Sequence, residues 1–198
     1  MLPSSHKRIE KVVFLDRDGV INYDSPDYIK NWDELEFLPG SLEALRLLSE
    51  AGYCLIVITN QSMIRRGMAP LAVLDDMHQR MKAATANAGG QIHDIFFCPH
   101  RPDEQCDCRK PEPGLIRQAC DRYGIDPADS VMVGDSVKDI LCGVNAGCAS
   151  TILVRTGNGI SAEKELADLK VHPGAVVDDL LAAARLILKA GFGEGARP

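Results

Sequence analysis

The chain has 198 residues, of which 45% are hydrophobic and 25% are charged, and its formal net charge is -6. This length is typical of one domain with a substantial core. The negative charge disfavours a nucleic-acid-binding protein, because such proteins neutralise phosphates with surplus lysine and arginine, and no apolar run is long enough for a membrane helix.

Apolar runs that predict β-strands recur along the chain. Most of them are continuous rather than alternating, which is typical of parallel strands covered on both faces. The predicted strands are Val12 to Leu15, Leu55 to Ile58, Ile95 to Phe97, Val131 to Val133, Thr151 to Val154 and the short Val176-Val177.

Segments with helical starts and stops lie between these strands. The predicted helices run from Ser41 to Ala51, from Pro70 to about Gly89, from Pro113 to Gly124 and from Leu180 to Lys189. The alternation predicts an α/β fold, a doubly wound, Rossmann-like parallel sheet with helices on both faces. We expect a single domain over residues 1–190 and a disordered tail over residues 191–198.

Two carboxylates follow the first predicted strand, in Asp16-Arg17-Asp18-Gly19. Close carboxylates repel each other, and a metal cation or a division of roles between a nucleophile and a general acid would resolve that repulsion. An Asp-Gly pair is also an ordinary turn between a strand and a loop. The tetrapeptide alone therefore leaves both interpretations open.

Three further polar sites follow later strands: Thr59-Asn60-Gln61-Ser62, Arg109-Lys110, and Gly134-Asp135 with Asp139. Each site taken separately is better explained as a helix cap, a solvated charge or a turn. Because parallel strands point the same way, however, all four sites gather at one edge of the sheet. This convergence favours a functional site.

Together the four sites supply the groups that phosphoryl transfer requires. A carboxylate can attack phosphorus, hydroxyl and amide donors can hold the phosphate oxygens, and a lysine can offset the transition-state charge. Mg2+ is the expected metal because it prefers oxygen ligands, and the expected ligands are Asp16, Asp135 and the backbone carbonyl of Asp18. Asp139 would face the same side and orient a metal-bound water.

The pattern of Asp16/Asp18, Thr59, Lys110 and Gly134-Asp135/Asp139 resembles the haloacid dehalogenase superfamily of aspartate-nucleophile phosphatases. The resemblance spans roughly residues 12–157. It implies that Asp16 is the nucleophile and forms an aspartyl-phosphate, whereas Asp18 is the general acid and base. Thr59 and Lys110 would stabilise the transferring phosphoryl group.

Cys98, His100, Cys106 and Cys108 form a second group of candidate ligands. Three thiols and one imidazole suit a tetrahedral structural Zn2+, in a zinc-binding loop over residues 98–108. The alternatives are an ordinary surface loop or a disulfide. With no visible export signal we expect a cytoplasmic protein, and that location disfavours a disulfide.

A zinc loop before Arg109-Lys110-Pro111 resembles one branch of the superfamily, which holds the heptose bisphosphate and the histidinol-phosphate phosphatases. The stretches Leu15 to Asn22 and Leu153 to Gly157 are more similar to the heptose group. That similarity implies removal of the 7-phosphate of a heptose 1,7-bisphosphate, for lipopolysaccharide or surface-glycan synthesis. Arg109 would bind the second phosphate. Further substrate contacts are expected from Asp24, Ser25, Pro26, Asp27, Asn60, Gln61 and Ser62.

Some residues depart from the heptose pattern. Met63 and Arg65 replace small residues, which predicts a bulkier and more basic rim, and Ser136 stands where a lysine is often found, with Lys138 as a substitute. The short spacer between His100 and Cys106 keeps the histidinol-phosphate branch open. The short segment from Ile21 to Phe37 predicts an enzyme without a large cap domain.

The expected partner is a small sugar phosphate, with no nucleic acid and no membrane. A monomer is expected because no exposed apolar helix stands out. A non-enzymatic zinc module that binds nucleic acid is a remote alternative, and the acidic net charge speaks against it.

Overall fold

A computed structural model gives the fold and describes residues 9 and 11–192. Of the predicted tail over residues 191–198, Gly191 and Phe192 are described, and residues 193–198 lie outside the described part. Phe192 packs against the core, and its carbonyl oxygen accepts a hydrogen bond of 2.9 Å from the Tyr53 hydroxyl. The packed chain therefore continues at least to Phe192.

Six parallel strands form one sheet in the order β3-β2-β1-β4-β5-β6. All six match predicted strands, and most extend beyond the predicted ends. The strands are β1 (Val12–Leu15), β2 (Cys54–Asn60), β3 (Ile92–Cys98), β4 (Ser130–Gly134), β5 (Ser150–Val154) and β6 (Ala175–Val177).

Within residues 11–192, six α-helices connect or follow the strands, and two of them, α4 and α5, are absent from the sequence-based prediction. The helix α4 contains Gly143, a poor helix former; a Cβ there would lie 2.8 Å from that of Met132, so glycine permits close packing on β4. The helices are α1 (Ser41–Glu50), α2 (Leu71–Asn87), α3 (Gly114–Tyr123), α4 (Val137–Ala146), α5 (Gly159–Asp168) and α6 (Leu180–Ala190).

Different helices cover the two faces of the sheet. On β1, Val13 and Leu15 face a core shared with α1, α2 and α6, whereas Val12 and Phe14 face a core shared with α3 and α4. Leu153 of β5 packs in a third cluster with α4 and α5. The predicted doubly wound α/β fold is therefore confirmed.

The winding of the chain changes direction at β1, which lies between β2 and β4. Leu15 pairs in register with Val57 and with Val133. The carboxyl ends of three strands thus lie side by side, and open α/β sheets bind ligands at such a point.

The segment between β1 and α1 is short and carries no separate domain. Residues 16–40 hold a 3-10 helix at Trp32–Glu34 and single bridges from Asn22 to Asp18 and Phe37. This agrees with the predicted lack of a large cap. Within residues 11–192, no helix combines the length and apolar character that crossing a bilayer requires.

Candidate active site

A cleft of about 690 Å³ opens at the carboxyl ends of β1, β2 and β4. Every predicted catalytic and magnesium-site residue lines it, as do most predicted substrate contacts. These residues are Asp16, Asp18, Thr59, Lys110, Asp135 and Asp139, and Asp24, Ser25, Pro26, Asn60, Gln61 and Arg109. The other two predicted substrate contacts, Asp27 and Ser62, do not line this cleft.

Lys110 lies in the cleft with a side chain that is only 2% exposed. Its Nζ donates to the carbonyl oxygen of Ile58 at 2.8 Å and pairs with Asp16 Oδ1 at 2.8 Å and Asp139 Oδ1 at 2.6 Å. These three acceptors match the three donors of an ammonium group. Burial lowers the Lys110 pKa, but the charges of Asp139 and Asp16 outweigh it and raise the pKa above its usual value.

Asn60 fixes the backbone of Lys110, which lies 50 residues further along the chain. Asn60 Oδ1 accepts the Lys110 N–H at 3.1 Å, and Nδ2 donates to the Lys110 carbonyl oxygen at 3.3 Å. Both ends of this amide are therefore used within the protein. Asn60 positions Lys110 in this structure, and its predicted contact with substrate stays a prediction.

Asp16, Asp135 and Asp139 form a carboxylate cluster, in which one oxygen of each residue lies within 4.8 Å of the others. Burial and the charge of Asp139 raise the pKa of Asp16 well above its usual value, against the effect of Lys110. Burial and Asp139 also raise the pKa of Asp135 to about 7. When all three ionise, one ammonium leaves two negative charges, so the donor set fits a divalent cation.

Two glycines leave the space that Asp135 occupies. A Cβ at Gly19 or at Gly157 would overlap Asp135 Oδ2, and both residues have positive φ, at 79° and 55°. The same oxygen accepts the backbone N–H of Asn158 at 2.8 Å and its side-chain Nδ2 at 3.2 Å. The loops after β1 and β5 thus both pack against the Asp135 carboxylate.

Asp139 is buried at the start of α4, where Ser136 orients it. Asp139 Oδ2 accepts hydrogen bonds from Ser136 N at 3.0 Å and Ser136 Oγ at 2.6 Å, in a capping box. Ser136, which stands where a lysine is often found, therefore serves the helix and the carboxylate cluster. Lys138, the predicted substitute, is exposed and lines the cleft.

Asp18 is held by Arg17, Asn22 and Gln61. Arg17 Nε and Nη2 donate to its Oδ1 at 3.0 and 2.9 Å, Asn22 Nδ2 donates to Oδ1 at 2.8 Å, and Gln61 Nε2 donates to Oδ2 at 2.9 Å. Burial raises the pKa of Asp18, but the Arg17 charge and these hydrogen bonds outweigh it and lower the pKa. Gln61 Nε2 also lies 2.9 Å from Thr59 Oγ1, so it links Asp18 to Thr59.

Arg17, Asn22 and Asn158 are site residues that the sequence analysis does not assign. Arg17 is 1% exposed, and a buried arginine needs an ionic partner. Its position next to Asp18 in the sequence is therefore a signal from which its role could have been predicted. Asn22 ends the stretch Leu15 to Asn22, which is similar to the heptose group. No spacing in the sequence links Asn158 to Asp135.

Met63 does not contribute to the rim of the cleft, in contrast to the prediction from the sequence. Its side chain is 0% exposed and belongs to the core, so the prediction that it enlarges the rim is wrong. Arg65 is exposed, does not line the cleft and pairs with Glu104 at 3.5 Å. Ser62 lies behind the rim, where its Oγ donates to the Tyr28 hydroxyl at 3.4 Å.

Cys98, His100, Cys106 and Cys108 place four ligand atoms within 4.8 Å of one another. The three Sγ atoms lie 3.2 to 3.6 Å apart, and His100 Nδ1 lies 3.3 Å from Cys108 Sγ. Metal–sulfur bonds of about 2.3 Å give a tetrahedral edge of about 3.8 Å. The four residues therefore fit one tetrahedral ion, and because all seven cysteines are free, the disulfide alternative is not supported.

This Cys/His cluster is joined directly to the cleft. The Gln61 N–H donates to the Cys98 carbonyl oxygen at 2.7 Å, and Arg109 Nη1 donates to the His100 carbonyl oxygen at 3.0 Å. Arg109 and Lys110 follow Cys108 without a spacer. The conformation of the cluster therefore affects both cationic side chains.

Several known proteins are similar to this chain in sequence and architecture. Residues 107–183 match the HAD-hydrolase-like family. The chain is 46% identical to the D-glycero-beta-D-manno-heptose-1,7-bisphosphate 7-phosphatase of Pseudomonas putida, over 90% of this chain and 99% of that protein. It is 44% identical to the enzyme of the same name from Pseudomonas aeruginosa, over 90% and 98%.

A solved structure agrees with these relatives. The D,D-heptose 1,7-bisphosphate phosphatase of Bordetella bronchiseptica, in complex with magnesium and phosphate, superposes with a TM-score of 0.84 and 42% identity. The match covers 91% of this chain and 99% of that one. The predicted resemblance is therefore confirmed, and the chain belongs to the HAD-like phosphatases, in the family of the D-glycero-beta-D-manno-heptose-1,7-bisphosphate 7-phosphatases.

Proposed function

We propose that this protein is a Mg2+-dependent phosphomonoesterase that removes the 7-phosphate of D-glycero-D-manno-heptose 1,7-bisphosphate, for the synthesis of nucleotide-activated heptose. The observation that carries the proposal is the single cleft that gathers Asp16, Asp18 and Lys110, with Arg109 in its wall. The names of the two Pseudomonas relatives, which match 90% of the chain, support the substrate.

Magnesium is supported by the carboxylate cluster and by the Bordetella structure, which was obtained with magnesium and phosphate. Asp16 and Asp135 would hold the ion through their carboxylates and Asp18 through its backbone carbonyl, while Asp139 would orient a bound water. When bound, Mg2+ offsets negative charge on the carboxylates and the phosphate oxygens.

Asp16 and Asp18 divide the chemistry between them. A carboxylate oxygen of Asp16 attacks phosphorus, the bond from phosphorus to the sugar oxygen breaks, and the Asp18 proton passes to that oxygen. Asp18 then removes a proton from a water whose oxygen attacks the phosphorus carried by Asp16. This second step releases inorganic phosphate and restores the Asp16 carboxylate.

Asp18 must carry a proton when the sugar departs, although its pKa is low in the resting cleft. A phosphate dianion that enters beside Asp18 disfavours its ionised form and so raises its pKa. Thr59 and Lys110 would bind the phosphoryl oxygens, and the Lys110 ammonium is already desolvated and in place.

Arg109 is the proposed contact for the second phosphate. It lines the cleft, and the bond to His100 uses one of the five N–H donors of its guanidinium. The loop that holds Asp24, Ser25 and Pro26 also lines the cleft and would contact the sugar.

The Cys/His cluster is the proposed site of a structural Zn2+, held by Cys98, His100, Cys106 and Cys108. Its donor set of three thiols and one imidazole is closed and leaves no position for a substrate. The ion would fix the loop that carries Arg109 and Lys110.

The alternative of a nucleic-acid-binding zinc module would leave the assembled carboxylates, Thr59 and Lys110 without a role. We therefore favour the enzyme. A monomeric and cytoplasmic protein stays a prediction.

Phosphate release from a panel of substrates tests the proposal: heptose 1,7-bisphosphate, heptose 7-phosphate, other sugar phosphates and histidinol phosphate. We expect the highest kcat/KM for the bisphosphate. Arg109→Ala should lower that value by about 10- to 100-fold, because a charge-assisted hydrogen bond contributes about 1.5–3 kcal/mol, and should change the value for heptose 7-phosphate little. Arg101→Ala, in the same loop but outside the cleft lining, is the control. A preference for histidinol phosphate would contradict the proposal.

Asp16→Asn should abolish turnover, with kcat lowered on the order of 10⁴-fold or more, because the amide cannot serve as the nucleophile. Its unfolding free energy should stay within about 1 kcal/mol of the unmodified value. The amide retains the shape of the side chain and its oxygen can still accept from Lys110, and the lost charge is attracted by Lys110 but repelled by Asp139. Steady-state kinetics and urea denaturation measure the two effects, with the exposed Asp33→Asn as the control. Near-normal turnover would exclude Asp16 as nucleophile.

Mg2+ affinity should rise with pH up to about 7, because the ion displaces the proton from Asp135, whose pKa is about 7. The folded pKa lies above the unfolded one, so this carboxyl group stabilises the metal-free fold below pH 4 and loses that effect as pH rises through about 7. Titration calorimetry should show binding at about pH 5.5 that is at least tenfold weaker than at about pH 8. A pH-independent affinity, or one equally pH-dependent in Asp135→Asn, would refute this explanation.

Cys106→Ser should reduce bound zinc and stability first and activity second. Loss of a partner that only orients a metal ligand lowers metal affinity by about 10- to 100-fold. Loss of Cys106, a direct ligand, should lower zinc affinity by more than that. Elemental analysis and thermal denaturation measure these changes, with Cys54→Ser, outside the cluster, as the matched control. Unchanged zinc content would remove Cys106 from the ligand set.

A further inference from the structure

We infer that Asn158 is a positioning residue that joins the metal carboxylate of Asp135 to the substrate loop at Asp24, so that cation binding and the placement of this loop are coupled. The inference deepens the proposed function and rests on it. It is carried by the hydrogen bonds of one side chain that contacts both walls of the cleft.

The Asn158 amide is directed at two carboxylates rather than at its own helix. Asn158 precedes α5 at the N-cap position, yet its side chain makes no capping hydrogen bond. Its Nδ2 lies 3.2 Å from Asp135 Oδ2 and 3.2 Å from Asp24 Oδ2. An amide nitrogen has two hydrogens, so it can serve both acceptors at once.

These bonds determine which oxygen of Asp135 faces a cation. Oδ2 accepts the Asn158 backbone N–H at 2.8 Å as well as the side-chain N–H, and it packs against Gly19 and Gly157, where no side chain would fit. With Oδ2 engaged, Oδ1 is the oxygen left to turn toward the cluster. Outer partners of this kind orient metal ligands and raise metal affinity.

The loop that carries Asn158 is itself anchored. Thr156 Oγ1 donates to the Gly19 carbonyl oxygen at 2.6 Å, and Arg155 forms ion pairs with Glu163 at 2.9 Å and Asp178 at 3.0 Å. The amide therefore projects from a fixed support. Its bond to Asp24 costs little additional ordering of Asn158, because Asp135 already orders the same side chain.

Asp24 is the exposed end of this bridge. Its Oδ1 accepts the Ser25 N–H at 2.8 Å, so the same carboxylate shapes its own loop and ties that loop to Asn158. A cation that fixes Asp135 would fix Asn158, and through it the loop over the cleft. The ligands of the cation and of the sugar are thus linked by one amide.

Mg2+ binding to the magnesium-free chain of 198 residues, measured by titration calorimetry without substrate, tests this inference. The variants are Asn158→Leu, which keeps a similar volume without donors, Asp24→Ala, the double variant, and Ile160→Ala as a control that is 61% exposed near the start of α5. We expect Asn158→Leu to weaken binding by about 10- to 100-fold and Ile160→Ala to stay within about twofold. The change in Mg2+ affinity of the double variant should differ by at least about threefold from the product of the changes in Asn158→Leu and Asp24→Ala.

Thermal denaturation without Mg2+ separates this role from a structural one. Lower stability of Asn158→Leu with unchanged Mg2+ affinity would overturn the inference, and effects that multiply within about twofold would overturn the link to Asp24. Absence of Mg2+ binding by the unmodified protein would overturn the proposed function and the inference with it. Binding by the unmodified protein with equal affinity in Asn158→Leu would overturn the inference alone.

Discussion

A shortage of positive charge at the carboxyl edge of the sheet governs the arrangement of the site. Two carboxylates within 4.8 Å repel by at least about 3 kcal/mol at an effective dielectric constant near 20, and the cluster contains three. Lys110 contacts Asp16 and Asp139, and Arg17 neutralises Asp18. Burial raises the pKa values of Asp16 and Asp135, and the charge of Asp139 raises them further. The resting cleft is thereby prepared to exchange protons for a divalent cation.

The same shortage explains why the lysine must be held so firmly. Lys110 comes from a polar segment between β3 and α3, where no strand fixes the backbone. The Asn60 amide holds its peptide groups on one side, and the Cys/His cluster precedes it by two residues at Cys108. Because a buried ammonium without its partners is costly, a small shift of this segment would affect both folding and phosphoryl transfer.

The strand ends account for the part of the site that sequence predicts well. Continuous apolar runs predict parallel strands, and parallel strands bring Asp16, Thr59 and Asp135 to one edge whatever the loops between them do. Helix α5 is harder to predict because half of its residues are polar and only Gly159, Ala162 and Leu166 are buried. Met63 shows the limit of a local comparison, because this residue, which departs from the heptose pattern just after a matched motif, belongs to the core and not to the rim.

The hydrogen-bond partners of the site residues, in contrast, follow no pattern in the sequence. Asn158 lies 134 residues from Asp24 and 23 from Asp135, and only the folded loops show that one amide contacts both. Ser136 is a second example, because the structure shows that its N–H and Oγ donate to Asp139 and the sequence pattern does not. Sequence pattern thus identifies which groups reach the edge, because strand direction is a property of the whole sheet. The orientation of those groups depends on pairwise contacts between loops, and these contacts adjust the charge balance on which the chemistry depends.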